Sequence, residues 1–379
     1  MDYFLTEEQV MIRDLARKIA EEKVKPVRAE LDEKGEFPEE IMKELARADL
    51  LRVFVPEEAG GLGGGCMEMC IVAEELSRIC AGVATTYAAN GLACMPIILY
   101  GTEEQKQRFL PRIADGASYA AFALTEAEAG SDAANIKTTA KEVEDGFVLN
   151  GTKQFITNGG VAEIYTVIAV TDPKRGARGV SALVVEKGTP GFGFGKEEDK
   201  MGIRASKTTQ LIFTDCKVPK ENLLGKRGMG FIITLKTFDR TRPGVGAQAV
   251  GIAQGAFDEA LAYGKGRVQF GKPITSFQGI QFMLADMATQ IEAARALVYA
   301  TARMIDAGAK DFAKESAMAK LFASDMAMSV TTDAVQIMGG YGYMKEYPAE
   351  KYMRDAKITQ IYEGTNQIQR QVIANALIK

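Results

Sequence analysis

Glu363 lies in the stretch Ile361-Tyr362-Glu363-Gly364-Thr365-Asn366-Gln367, the last loop before a short C-terminal amphipathic segment. A carboxylate beside glycine has an open approach and access to unusual backbone conformations, which suits a general base. A lone glutamate in a loop is also ordinary surface. The 379 residues include no histidine, so a Ser-His-Asp triad, a Cys-His dyad and a histidine-ligated metal are excluded. Any general base must be Asp, Glu, Lys, Tyr or Cys. Three further stretches carry groups that bind ligands. Thr125-Glu126-Ala127-Glu128-Ala129-Gly130-Ser131-Asp132 combines small residues, which let the backbone approach a ligand, with hydroxyl donors. In Phe155-Ile156-Thr157-Asn158-Gly159-Gly160 an aromatic two residues before a threonine can cover a planar ring while the hydroxyl reaches its edge. Phe238-Asp239-Arg240-Thr241-Arg242-Pro243 places two cations near an acid, and Arg242 suits an anionic or carbonyl-bearing ligand. Each also has a bland reading: a polar loop, a strand ending in a tight turn, an ion-paired helix end.

Other signals point nowhere specific. Residues 266–273 nearly spell a P-loop, but Pro273 cannot supply the hydroxyl that holds Mg²⁺, and no strand precedes the run. Cys66 and Cys70 share a helix face, yet no CxxC pair completes a metal site. The five cysteines are odd in number and widely spaced, unlike a disulfide framework. No metal is expected. The net charge of −4 argues against a nucleic-acid footprint, while local Lys and Arg clusters can still serve small anions. The opening MDYFLTEEQV lacks the basic and apolar regions of a signal peptide. No run reaches the roughly 18 uninterrupted apolar residues of a membrane span. The expected location is cytoplasmic, with no membrane or nucleic-acid partner.

The elements that must position these groups fall into three blocks. Residues 1–117 read as helices. Thr6-Glu7-Glu8-Gln9 and Thr102-Glu103-Glu104-Gln105 are capping boxes, Pro38 suits a first helical turn, and residues 60–65 form a glycine loop. Residues 118–228 change to short segments rich in β-branched and aromatic residues, with candidate strands at 119–124, 137–143, 147–149, 165–170, 180–185 and 209–213. Glu144-Asp145-Gly146 reads as a hairpin turn. Residues 229–379 return to helix, at 231–238 towards Arg242, 247–263, 277–307, 312–338 and 367–377, joined by short loops as in an antiparallel bundle. Strands do not alternate with helices, so a doubly wound dinucleotide fold is excluded. The class is α+β.

Taken together and in order, the stretches LTEAEAGSD (124–132), FITNGG (155–160), FDRTRP (238–243), RVQFGKPI (267–274), DAVQIMGGYGY (333–343), EYP (346–348) and MRDAKITQIYEGTNQIQR (353–370) resemble the acyl-CoA dehydrogenase family. The resemblance spans essentially the whole chain, and the last stretch is the most specific. It implies an N-terminal all-α domain, a middle β-barrel or sandwich domain and a C-terminal four-helix bundle carrying the catalytic loop. It also implies one FAD per subunit, an acyl-CoA substrate, electron-transferring flavoprotein as acceptor, and a homotetramer or dimer in which a neighbour completes each flavin site.

By position, the resemblance implies that Phe122, Leu124, Thr125 and Ser131 line the flavin or the CoA arm, with Ser131 on the substrate side. Phe155 and Thr157 flank the isoalloxazine. Arg267 and Phe270 reach the FAD of a neighbouring subunit, with Gln336 and Gly340 in the same cofactor region. Thr365 and Gln367 contact the FAD adenosine part. Asp239 and Arg242 lie along the acyl-CoA, with Tyr87, Tyr362 and Gly364 also on the substrate. Glu363 is the implied base, its backbone N–H joining a ribityl hydroxyl on the thioester oxygen, and the implied product is a trans-2-enoyl-CoA. Some members carry the base at the position of Thr241, where threonine cannot serve. Two departures stand out: Ala127 where the family usually has proline, and Phe155 where tryptophan is frequent. The acyl pocket floor is expected from residues 85–92, where Tyr87 shortens the cavity or Ala88 widens it. Residues 238–243 look closer to medium-chain than to butyryl-type members. Branched, cyclic or aromatic substrates, an enoyl-CoA reductase direction, an oxygen-using relative and a DNA-binding flavoprotein of the same fold stay open.

Overall fold

The computed structural model describes residues 3–378. Three all-α, mostly β and all-α blocks follow one another. In the first, both capping boxes form. The Thr6 hydroxyl accepts from the Gln9 N–H at the start of helix Glu7–Ile19, and Thr102 does the same for Gln105 at helix Glu103–Ala114. Helices Cys66–Ser77 and Ala81–Tyr100 are buried on nearly every side. Helix Ala81–Tyr100 is long and apolar enough to cross a membrane by length and composition, but 72% of its apolar window is buried inside the protein.

The middle block is one connected eight-stranded sheet. Its order runs from Phe192–Glu197 at one edge through Thr208–Pro219, Gly146–Thr157, Thr139–Val143, Ile164–Val170 and Val180–Glu186 to Leu223–Leu224. Strand Ala120–Ala123 pairs in parallel with Ile164–Val170. The Glu144-Asp145-Gly146 turn joins an antiparallel hairpin in which Val143 faces Gly146. Strand Phe192–Glu197 was not foreseen: it alternates glycine with aromatic residues, and glycine hides the strand signal. It exists because Phe192 stacks on Phe213 at 4.9 Å and meets Tyr165 edge-on at 4.9 Å.

In the third block the two expected segments on either side of Pro243 are one 37-residue helix, Gly230–Gly266. Proline inside a helix removes a hydrogen bond and crowds the carbonyl four residues back, at about 3 kcal/mol. Tertiary packing outweighs that cost, because the helix runs buried between Cys66–Ser77, Ala81–Tyr100 and Ala313–Met338. Its glycines permit the close approach: a Cβ on Gly246 would lie 2.8 Å from Val298 Cγ2, and one on Gly251 only 2.2 Å from the Glu74 carbonyl oxygen. Helices Gln278–Asp306 and Ala313–Met338 pack alongside, and the short helices Ala349–Thr359 and Asn366–Ile378 complete the bundle. Helix Ala349–Thr359 was also missed, and it carries the chain into the Glu363 loop.

A buried polar seam joins the first and third blocks. Glu74 accepts from Arg295 at 2.7 Å and from Tyr299 at 2.9 Å, and neighbouring Glu75 accepts from Arg17 at 2.6 Å. Desolvation raises the Glu74 carboxyl pKa despite these partners. The cysteines are free thiols; Cys70, Cys80, Cys94 and Cys216 are buried and Cys66 is half-buried.

The Gly251 contact is between backbones and cannot relax by turning a side chain. Gly251→Ala is expected to cost about 1–3 kcal/mol, read as a lower unfolding midpoint in thermal or denaturant melts, with Gly266→Ala, which meets nothing within 4 Å, as the control.

Candidate active site

The Glu363 loop turns sharply. Glu363 has φ 51° and Gly364 φ 92°, both in the left-handed region. A non-glycine residue there is strained, by of order 1–3 kcal/mol, and persists only when its surroundings over-determine it. They do so here. The Glu363 carbonyl accepts from Gln369 Nε2 at 3.1 Å and more weakly from Arg242 Nε at 3.4 Å, and the Gly364 carbonyl accepts from Gln369 Nε2 at 2.8 Å and Lys320 Nζ at 2.9 Å. The Glu363 N–H has no protein acceptor among the described residues, leaving a donor free beside the carboxyl.

The carboxyl turns towards the long helix, where Thr241 Oγ1 donates to Glu363 Oε2 at 2.6 Å. Glu363 keeps some solvent contact as a residue, yet its carboxyl is enclosed by protein. Burial raises its pKa; the Thr241 hydrogen bond and the charges of Arg242 and Lys320 oppose the rise without cancelling it. Arg242 is nearly fully buried, ion-pairs with Asp239 at 3.3 Å and lies over the Phe238 ring at 6.0 Å. Burial depresses its guanidinium and raises the Asp239 carboxyl. Tyr362 donates to Gln248 Oε1 at 2.8 Å, and Gln248 Nε2 donates to Thr85 Oγ1 at 3.2 Å. Gln248 went unnoticed in the sequence, although it lies seven residues from Thr241 and so on the same helix face.

The other two ligand-binding stretches come together in the sheet. The Gln154 N–H donates to the Thr125 carbonyl at 2.8 Å. Lys153, fully buried, donates from Nζ to the Leu124 carbonyl and to Glu126 Oε1, both at 2.8 Å. Glu126 in turn accepts from the backbone N–H of Thr138 at 2.9 Å. This pair was missed because one partner reads as a strand residue and the other as loop polarity. Burial pushes the Lys153 ammonium down to about 8, while its charge and the loop N–H groups hold Glu126 below the usual carboxylate range against desolvation.

Around this anchor, Phe122 and Leu124 are buried, Thr125 and Thr157 half-buried, and Ser131 exposed. Phe155 is 60% exposed and sits at φ 59°. An exposed aromatic on strained backbone, at the same strand end as the partnerless buried Asn158 amide oxygen and paired beside the partnerless Thr209 hydroxyl, fits a surface built for a planar polar group such as flavin. Phe122 meets Phe238 edge-on at 5.7 Å, which links the sheet to the helix that carries Arg242 and Thr241.

Tyr87 is 0% exposed, its ring packed edge-on against Phe54 at 5.7 Å. Its hydroxyl is buried without a hydrogen-bond partner among the described residues. Thr365 Oγ1 accepts from the Ile368 N–H at 3.3 Å, and Gln367 is exposed on the first turn of the terminal helix. Arg267, Phe270, Gln336 and Gly340 form no part of this cleft. Arg267 lies over the Tyr341 ring at 5.4 Å, and Phe270, 94% exposed at φ 52°, tips the hairpin between Val268–Gln269 and Lys272–Pro273. Gln336 and Gly340 are exposed at the end of the Ala313–Met338 helix. Among the described residues no cluster of three or more Cys, Asp or Glu is arranged for a metal ion.

Comparison with known proteins agrees with this geometry. Residues 6–117, 121–216 and 228–378 match the profiles of the N-terminal, middle and C-terminal domains of acyl-CoA dehydrogenase. The chain is 52% identical to an acryloyl-CoA reductase (NADH) of Anaerotignum propionicum, over all of this chain and 96% of that one. It superposes with TM-score 0.97 and 49% identity on butyryl-CoA dehydrogenase of Megasphaera elsdenii, covering 100% of both chains. Against a chain solved in work on the electron transferring flavoprotein of Acidaminococcus fermentans the TM-score is 0.98 and the identity 52%, again covering 100% of both.

Removing Lys153 leaves Glu126 buried without its cation, a change that costs about 3–5 kcal/mol when a buried pair is broken. Lys153→Met is expected to loosen the 124–132 loop and shed flavin, read as a lower ratio of bound flavin to protein after gel filtration. Undiminished flavin content would contradict the anchoring role.

Proposed function

The chain belongs to the acyl-CoA dehydrogenase family, an FAD-binding oxidoreductase, and on that premise we propose that it interconverts a short-chain acyl-CoA and its trans-2-enoyl-CoA with Glu363 as the base. The observation that carries this reading is the Glu363 carboxyl, raised in pKa by burial, hydrogen-bonded to Thr241 and borne on a turn whose N–H is free. A thioester α-proton is weakly acidic, so its removal needs a strong, placed base and donors where enolate charge develops. Desolvation strengthens the carboxylate as a base. The free N–H of Glu363 is available to the thioester oxygen, and Arg242 adds positive charge behind the loop. Bound FAD supplies the acceptor for the β-hydride. Phe122, Leu124, Thr125, Phe155 and Thr157 would hold it, and Ser131 would meet the CoA side of the same cleft. Thr241 orients the carboxyl that, in some members of the family, this helix position supplies itself.

Substrate size follows from the floor. Thr241 and Gln248 are two helical turns apart, about 10.5 Å along the axis. Gln248 is buried and tied to both Tyr362 and Thr85. A polar side chain fastened there would end an acyl site early, because pushing an acyl tail past it would break two buried hydrogen bonds. This favours a chain of about butyryl length over the medium-chain reading of residues 238–243, as does the butyryl-CoA dehydrogenase relative.

Arg267, Phe270, Gln336 and Gly340 are assigned to the flavin of a neighbouring copy in a homotetramer or dimer, and Thr365 and Gln367 to the adenosine part of the FAD. Electron-transferring flavoprotein is the proposed acceptor, supported by the relative from that system. The acryloyl-CoA reductase relative supports a second direction for the same site, in which protonated Glu363 delivers the α-proton to an enoyl-CoA. Reoxidation of the reduced enzyme by acryloyl-CoA, faster than by air, is the observation that would favour it.

Glu363→Gln is expected to keep FAD and bind acyl-CoA while slowing anaerobic flavin bleaching by about a thousandfold or more; unaltered bleaching would overturn the assignment. In the unaltered enzyme bleaching is expected to fall as pH drops through the Glu363 pKa, above the ordinary carboxylate value of about 4.3, because only the carboxylate removes a proton. Gln248→Ala is expected to raise the hexanoyl-to-butyryl ratio of kcat/KM by about tenfold or more; an unchanged ratio would remove Gln248 as the floor.

A further inference from the structure

Lys320 is 0% exposed on the helix Ala313–Met338. Its ammonium donates to the Gly364 carbonyl at 2.9 Å and to Asn366 Oδ1 at 2.8 Å, straddling the turn that follows Glu363. A buried lysine is expensive unless its charge is paired and its donors are hydrogen-bonded. We propose that Lys320 is a positioning residue for the base: its ammonium locks the left-handed turn at Glu363–Gly364 from beneath, and its charge holds the Glu363 carboxyl in the ionised form. This rests on the reading of Glu363 as the base.

The groups facing Lys320 support the assignment. From the loop comes Glu363, whose charge favours the ammonium; from the long helix comes Arg242, which opposes it; from its own helix comes Asp325, which favours it. Asp325 is itself occupied, accepting from Asn366 Nδ2 and Gln360 Nε2, each at 2.7 Å, and from Arg370 at 2.9 Å. Arg242 is partly spent on Asp239 at 3.3 Å. Of the two carboxylates that favour the Lys320 ammonium, Glu363 accepts one side-chain hydrogen bond, from Thr241, and Asp325 accepts three. Burial pushes the ammonium down to about 7, so it carries charge on the acid side of neutrality, where a carboxyl raised by desolvation most needs help to ionise. Each charge favours the ionised form of the other group.

Lys320→Gln keeps a donor and Lys320→Met keeps only bulk; both remove the charge. In both, the midpoint of the pH–bleaching curve is expected to move up by about one unit, and Lys320→Gln is expected to recover most of the unaltered rate at alkaline pH. A lowered rate at every pH with an unmoved midpoint would mean that Lys320 merely ties helix to loop, and would overturn the proposal. That result, with Glu363→Gln inert, leaves Glu363 as the base; active Glu363→Gln removes the base itself.

Two measurements do not depend on both variants folding or on turnover. The unaltered profile is expected to need two coupled ionisations, and a single one is disqualifying. In thermal melts, Lys320 of the folded chain loses its proton near 7 and the unfolded lysine near 10.4. Between these the unfolded chain holds more protons, so this site's contribution to stability rises with pH. The gap in unfolding midpoint between the unaltered enzyme and Lys320→Gln is expected to widen over that range; a constant gap excludes a depressed ammonium.

Discussion

An ionisable carboxyl enclosed in protein must be neutralised, paired or held by hydrogen bonds, and the arrangement around Glu363 is a compromise among the three. Burial raises its pKa, which makes a stronger base but a scarcer carboxylate. The Thr241 hydroxyl at 2.6 Å and the two nearby cations limit that rise. The same cations hold the loop, since Arg242 and Lys320 reach the carbonyls of Glu363 and Gly364. Electrostatics and backbone strain are thus handled by one set of side chains, drawn from two helices far apart in sequence.

The opposite wall uses the same device at a different place. The Lys153–Glu126 pair is buried where strand Gly146–Thr157 meets the loop after Ala120–Ala123. It ties the Leu124–Glu126 segment to the strand that carries Phe155. Between the walls runs Phe122 against Phe238, an apolar contact that carries the sheet's position to the helix bearing Thr241 and Arg242. The expense of a proline in that helix is offset by its burial against three other helices, which its glycines let approach closely.

Local signals were legible in the sequence where the physics is local. The capping boxes at Thr6 and Thr102 and the hairpin at Glu144-Asp145-Gly146 are each decided within four residues. The break expected near Pro243 failed because intrinsic helix preference is worth a few kcal/mol at most, and burial against three helices exceeds it. Strand Phe192–Glu197 and helix Ala349–Thr359 were invisible for a related reason: what stabilises them is on other segments. Tyr87 was expected at the substrate and is enclosed beside Phe54, since spacing along a helix does not say which of two neighbours a side chain will face.

The order of blocks, the absence of histidine and the Glu363-Gly364 turn were available from the residues alone, because residue type limits which acids, bases and backbone conformations are possible. The ordered stretches also identified the family. Only the tertiary structure decided that Thr241 touches the carboxyl, that Gln248 bridges Tyr362 and Thr85, and that Lys320 sits beneath the turn. These contacts join positions 44 to 163 residues apart. A pKa is set by such neighbours, and sequence separation carries almost no information about which of them meet.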